Sequence, residues 1–261
     1  MKITVLTLFP EMFGPVISHS ILGRANKKGI IRVETVNIRD YTLDKHNRTD
    51  DTPFGGGAGM VMSAEPIYRA LEDICKGNNE ECDGENKTKR LIYLSPRGRR
   101  LNQSLIEELS GEKELVLLCG HYEGVDQRVL DGWGFEEVSI GDYILTGGEL
   151  PAMVLIDGVA RMLPSVLGSD EAHREESIYS GLLEYPQYTK PREYGGMMVP
   201  EVLISGDHER IRLWRFEKSL QLTKERRPDL FKTFAERIKN HSDGGGLTKK
   251  EIKIMEKVLE E

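Results

Sequence analysis

The apolar and polar positions of this chain change their spacing several times, and each change marks an element. "KITVLTLF", "IIRVETVNI", "RLIYLSP", "ELVLLCG" and "EEVSIGDY" are short, β-rich runs. The middle ones are nearly all apolar, as parallel strands covered on both faces require. Between them, "SAEPIYRALEDICKG" and "RRLNQSLIEELSG" have helical spacing, the first with a Ser to cap it and a Gly to stop it. Further on, a helix is expected to start at Pro151 and to carry Arg161 near its end. This alternation predicts an α/β domain with a mostly parallel sheet over residues 1–165. "GNNEECDGENKTK" (77–89) is polar and reads as a surface loop. After Pro164 the period is lost, and residues 166–177 read as a linker. "HERIRLWRFEKSLQLTKERRPDLFKTFAERIKN" and, past the Gly244–Gly246 break, "LTKKEIKIMEKVLEE" are helical again, which predicts a smaller, mainly helical domain over 178–261.

Composition changes this picture little. Its 38% hydrophobic and 30% charged residues suit a soluble globular chain, and no apolar run approaches a membrane span. "MKITVLTLFPEMF" is a short apolar run broken by Pro10 and reads as a first strand rather than a signal peptide. Three cysteines (Cys75, Cys82, Cys119) without a C-x-x-C argue against a disulfide framework or a zinc site, and a cytoplasmic protein is expected. A net charge of −7 argues against attachment to nucleic acid by bulk electrostatics, though not against a local basic face. Arg210, Arg212, Arg215, Lys218, Lys224, Arg226 and Arg227 are dense enough to form such a stripe, or else a solvated helix face laced with ion pairs.

The chemistry lies in the loops. "FGGGAGM" (54–60) is glycine-rich but is neither G-x-G-x-x-G nor a P-loop, and by composition alone it is a mobile loop. H-E-x-x-H and G-x-S-x-G are absent. "LSPRGRR", "CGHYEGVDQR" and "SIGDYILTGGELP", however, all follow strands, and in an open α/β sheet the carboxyl ends of strands are where ligands sit. Any one of these loops is a tight turn; three together predict a pocket.

"YLSPRGRRL", "LLCGHYEGVDQRV" and "SIGDYILTGGELPAMVLIDGVARMLP", with "DDTPFGGGAGMVM" before them and "GLLEYPQYTKP" and "VPEVLISGDHERIRLWR" after, resemble the bacterial tRNA (guanine-N1)-methyltransferases of the TrmD type. The resemblance runs in order over nearly the whole chain. It implies a trefoil-knotted α/β fold of the SPOUT class and a homodimer with active sites across the subunit interface. It also implies methyl transfer from S-adenosylmethionine to N1 of the guanosine at tRNA position 37. Carried over motif by motif, it assigns the cofactor to Leu94, Ser95 and Pro96, to Gly120, Tyr122, Glu123 and Gly124, and to Ile140, Gly141, Asp142, Tyr143, Ile144, Leu145, Gly147, Gly148 and Pro151. Glu123 or Asp142 would face the cationic cofactor, or else cap a helix or pair with a neighbour such as Arg128.

Guanine N1 carries a proton, and its loss puts charge on O6, so the reaction needs a base and a cation. By resemblance Arg161 is the cation, against the alternative of an i,i+4 bridge to Asp157. The family's usual linker aspartate is replaced here: "REESIYSGLL" puts Glu176 in its position, with Glu175 adjacent. Asp50 and the loop glycines Gly55, Gly56, Gly57 and Gly59 would line the guanine pocket, and the basic stripe would hold tRNA phosphates. The resemblance leaves magnesium open, and nothing in the sequence asks for a metal. Two other readings stand beside this one: a knotted methyltransferase with another RNA target, and a non-catalytic adenosine-ligand or RNA-binding protein.

Overall fold

Alternate residues of the central strands point to opposite faces, and both faces are buried. Ile3 and Val5, Ile92 and Leu94, and Leu115, Leu117 and Cys119 fill one core; Leu6, Leu91, Tyr93, Val116 and Leu118 fill the other. In a computed structural model, which describes residues 1–76, 89–167, 181–240 and 246–260, the chain forms two compact units, Met1–Gly168 and Ser169–Glu261.

The first unit contains strands β1 (Lys2–Thr7), β2 (Arg32–Asn37), β3 (Asp50–Asp51), β4 (Val61–Met62), β5 (Lys89–Arg100), β6 (Glu114–Cys119) and β7 (Glu136–Ser139). Its helices are α1 (Gly14–Ser18), α2 (Ser20–Lys27), α3 (Ala64–Lys76), α4 (Gln103–Ser110), α5 (Gln127–Trp133) and α6 (Glu149–Met162). Five strands make a sheet in the order β2-β1-β6-β5-β7, every neighbouring pair parallel. One core lies under α1, α2, α4 and α6 and the other under α3 and α5, so helices cover both faces. β3 and β4 form a separate antiparallel pair.

Three boundaries differ from the expectations. The 77–88 part of the polar stretch lies outside the described residues, but Lys89 is no loop residue: it opens β5, buried, with its ammonium donating to Ile74 O at 3.0 Å. β5 runs past "LSP" to Arg100, because the chain detours after Leu94 and returns: Leu94 and Arg99 both pair with Val138. Helix α6 begins at Glu149, two residues before Pro151, whose missing N–H costs nothing in a first turn. Cys119 is a free, buried thiol, whereas Cys75 is disulfide-bonded, which departs from the expected absence of disulfides. A cysteine count limits how many bonds can form and says nothing of which side chains meet.

Tyr41 closes a short 3-10 turn, Ile38–Tyr41, and its hydroxyl donates to Asp73 of α3 at 2.7 Å. Burial and the Asp73 hydrogen bond push this phenol up to about 12. A raised acid holds its proton more tightly folded than unfolded, so this tie is fully present below about pH 10 and is lost as pH rises towards about 12. An alkaline absorbance titration should show a tyrosine ionising near pH 12, and Asp73→Ala should bring that step down. If the substitution leaves the titration unchanged, the tie does not hold.

The second unit contains the hairpin β8 (Glu193–Tyr194) and β9 (Met197–Met198), then helices α7 (His208–Arg226), α8 (Pro228–Asn240) and α9 (Lys249–Glu260). Leu182, Leu220, Phe231, Phe234, Ile238, Met255 and Val258 form its core. The hairpin was not foreseen; the helices were. The linker expected at 166–177 lies outside the described residues from 168 on, as do Glu175 and Glu176. Part of the expected basic stripe is spent inside the unit. Arg212 pairs with Glu251, Arg227 with Asp229 at 2.7 Å, and Lys224 donates to Val258 O at 2.6 Å. Among the described residues no helix is long and apolar enough to cross a membrane.

Candidate active site

β6, β5 and β7 are adjacent and parallel, so their carboxyl ends emerge together on one edge of the sheet. The chain that follows each of them walls one cavity of about 480 Å3. Leu94 to Arg97 come from the detour in β5, Gly120 to Val125 from the segment after β6, and Val138 to Gly141, Tyr143 to Gly148 and Pro151 from the approach to α6. All the residues singled out for cofactor binding line this cavity except Asp142. Asp142 points away, exposed and paired with Arg100, which a local motif cannot reveal because Arg100 lies 42 residues earlier. Arg128 is paired with Asp126 at 2.6 Å, so it is no partner of Glu123.

The walls are held by main chain. Gly148 N–H donates to Gly120 O at 2.9 Å, joining the third wall to the second. A Cβ on Gly148 would lie 2.6 Å from Cys119 Cα and 2.9 Å from Gly120 N, so only glycine fits this contact. Tyr122 keeps a left-handed backbone (φ 58°), a strained conformation for a side chain of that size, at the mouth of the cavity.

Behind the wall lies a group the sequence did not announce. Glu149 is only 2% exposed. It accepts from Thr7 Oγ1 at 2.6 Å, and His121 Nε2 lies 2.8 and 2.9 Å from its two oxygens. His121 lines the cavity, and its ring meets Phe9 edge-on at 5.1 Å. Thr7 and Glu149 stand 142 residues apart, so no spacing rule could pair them. Cys119 lies beside this group; burial and then Glu149 push its thiol well up, which makes it inert as a nucleophile. Tyr93, also lining the cavity, is raised by burial and by Glu137. Tyr93, Arg97, Val125, Gln127, Val138, Ser139 and Thr146 join the lining without having been singled out.

The glycine-rich loop is tied to the same cavity. Glu123 N–H donates to Met60 O at 3.0 Å, Met62 N–H to Gly124 O at 2.9 Å, and Asp126 N–H to Met62 O at 3.0 Å. Gly59 lies against the Glu123 side chain, while Gly55, Gly56 and Gly57 have positive φ and open space around them. Phe54, at the loop tip, is 100% exposed. Asp50 sits at the base of this loop, opposite Met62. Arg161 lies in the last turn of α6 and is not among the cavity's lining residues. Twelve residues of helix place it roughly 18 Å along the axis from Glu149. Among the described residues, no group of three or more His, Cys, Asp or Glu is placed to hold a metal ion.

The molecule is an α/β protein with a doubly covered parallel sheet and a glycine-walled cavity outside its strand ends, where open sheets of this kind hold ligands. The chain belongs to the tRNA (guanine-1)-methyltransferase TrmD family, whose model matches residues 1–233. It is 52% identical over 255 residues to a Clostridium perfringens protein named tRNA (guanine-N(1)-)-methyltransferase, covering 98% of this chain and 99% of that one. Proteins of the same name from Alkaliphilus oremlandii (55% over 234 residues, 90% of this chain and 93% of that one) and Staphylococcus epidermidis (52% over 234 residues, 90% and 92%) are similarly close.

Proposed function

We propose that this protein is an S-adenosylmethionine-dependent methyltransferase that modifies N1 of guanosine at position 37 of tRNA. The observation that carries this reading is the convergence of three wall segments on one cavity at the sheet edge, in a chain of this family. The cavity suits the cofactor. Leu94, Ile140 and Leu145 offer apolar cover for a flat ring, main-chain groups of the glycine segments offer donors and acceptors at close range, and Glu123 supplies a carboxylate for a cationic ligand. When bound there, the cofactor supplies an already activated methyl group.

The chain's own residues do the rest. Asp50 and the 55–59 loop receive the guanine, which an enzyme must first take out of its stack. The Glu176 carboxylate takes the N1 proton, and the Arg161 guanidinium steadies the charge left on O6. Arg161 lies away from its own chain's cavity, and Leu150 and Val154 of α6 are half exposed, as are Met12 and Val16 in part. An apolar face of this kind on a helix that carries a reactive group suits a homodimer whose sites draw on both copies. The return of the third wall onto the second, across β5, suits the family's trefoil knot. Exposed Arg210 and Arg226 remain for tRNA phosphates. Work of this kind belongs in the cytoplasm.

Labelled S-adenosylmethionine and two tRNA transcripts, differing only in guanosine or adenosine at position 37, test the proposal. Label should enter the guanosine form alone and map to N1. Glu176→Gln should bind the cofactor normally and transfer poorly. Transfer to both transcripts, or to neither despite cofactor binding, would overturn the reading.

A further inference from the structure

The second unit has a cavity of its own, about 580 Å3, in the size range of small-ligand sites. Lys190, Arg192 and Arg215 line it, and no carboxylate does. In a chain of net charge −7, three cations without an acid among a cavity's lining residues select for an anion. Apolar side chains line it as well: Leu203 and Ile204 from the 3-10 turn Glu201–Ile204, and Ile211 from α7.

Two tyrosines add aromatic surface to the lining. The Arg215 guanidinium stacks over the Tyr185 ring, 4.7 Å from its centroid, so that a ring and a cation of the lining hold one another in place. Tyr188 is 48% exposed and leans on Trp214, with centroids 6.4 Å apart at 56°. A bare inorganic anion would leave the aromatic and aliphatic wall unused. An apolar peptide would bury three cations without partners. A flat ring joined to a phosphate uses both the cations and the apolar and aromatic lining.

We infer that this cavity binds one unstacked nucleotide, its base on the tyrosine and aliphatic wall and its phosphate at Lys190, Arg192 and Arg215. Aromatic rings beside cations are how proteins hold bases of single-stranded nucleic acid. The nucleotide is one of the RNA substrate, which rests on the function proposed above; a free nucleoside monophosphate has the same chemistry.

Trp214 is the reporter. Replacing Trp133, whose buried indole N–H has no hydrogen-bond partner among the described residues, by phenylalanine leaves Trp214 as the chain's single tryptophan. The full-length Trp133→Phe protein is titrated with a short unstructured RNA oligonucleotide, with adenosine monophosphate and with inorganic phosphate. The oligonucleotide should change the Trp214 emission. Tyr188→Ala and Arg215→Ala, both at exposed positions, should each weaken its binding about tenfold, with S-adenosylmethionine affinity unchanged. Tyr188→Phe keeps the ring and should bind as wild type. Saturation by the monophosphate with displacement of the oligonucleotide upholds the site and makes the free nucleotide its occupant. No emission change with either nucleotide, or undiminished oligonucleotide binding by both alanine variants, overturns the inference. Wild-type protein that binds the oligonucleotide here yet transfers no methyl group would sink the proposed function and leave this cavity standing.

Discussion

Arg161→Ala should lower kcat for methyl transfer by about 100- to 1000-fold, the usual cost of removing one preorganised donor from a developing oxyanion. Its S-adenosylmethionine affinity should stay at the wild-type value, because Arg161 is not among the residues that line the cavity. Fold damage would read differently. Arg161 is half-buried at the end of α6, after the core positions Leu155, Ile156, Val159 and Ala160, so the unfolding temperature should shift little. Arg161→Lys separates charge from shape: the cation remains, but the planar fork is lost. Partial recovery by lysine would mark charge as the main contribution. Steady-state kinetics with the position-37 guanosine transcript, alongside cofactor binding by calorimetry, decide it. An alanine variant with wild-type kcat would remove Arg161 from the mechanism.

The second large effect belongs to a residue with no side chain. Gly148 has an ordinary helical backbone (φ −81°, ψ −5°), so alanine there meets no conformational strain. The obstacle is space. The new Cβ would fall 2.6 Å from Cys119 Cα, and buried backbone cannot swing aside as a surface side chain can. Overpacking of this kind costs about 1–3 kcal/mol. The third wall must move off the second, so the cavity itself is what changes. Gly148→Ala should raise the dissociation constant for S-adenosylmethionine about 10- to 100-fold and lower the unfolding temperature by several degrees. Gly56→Ala is the contrasting control. Its φ of +79° makes alanine strained, yet nothing lies within 4 Å of the new Cβ. It should cost about 1–2 kcal/mol and leave cofactor binding alone. If the two variants bind the cofactor equally well, close approach at Gly148 does not shape the cavity.

These two residues also show where a sequence is readable and where it is not. The central strands could be read because burial on both faces fills them with apolar residues, as in the fully buried β6, and that leaves a local mark in the sequence. Gly148 was legible as part of a glycine cluster, but its neighbour across the wall, Cys119, was not, since nothing local ties position 148 to position 119. Asp142 illustrates the opposite case. A motif carried it into the cofactor list as a unit with Gly141 and Tyr143, while the backbone turns it outward onto Arg100. The stripe on α7 was visible as composition, but α9 packs alongside and supplies Glu251 to Arg212, a partner 39 residues later. Pro151 announced a helix start and missed it by two residues, because the first turn of any helix accepts proline without loss. Arg215 reads as one cation of a stripe, and only the fold stacks it over Tyr185. Local chemistry is written in the sequence; long-range pairing is written only in the fold.

The buried Glu149 carboxylate turns this into a statement about assembly. Its two hydrogen-bonding neighbours come from the end of the first strand and from the segment after β6, so three distant parts of the chain must arrive before the charge is satisfied. A half-formed version would carry an uncompensated buried anion, which is far costlier than either the finished state or the open chain. The Glu149 group thus ties the cavity wall to the fold of the first unit. A ligand that occupies the cavity protects the entire unit from unfolding, by about 2.7 kcal/mol at a hundredfold excess over its dissociation constant. Melting curves thus double as a binding assay, and amides in β1, none of whose residues lines the cavity, should slow their hydrogen exchange when the cavity fills.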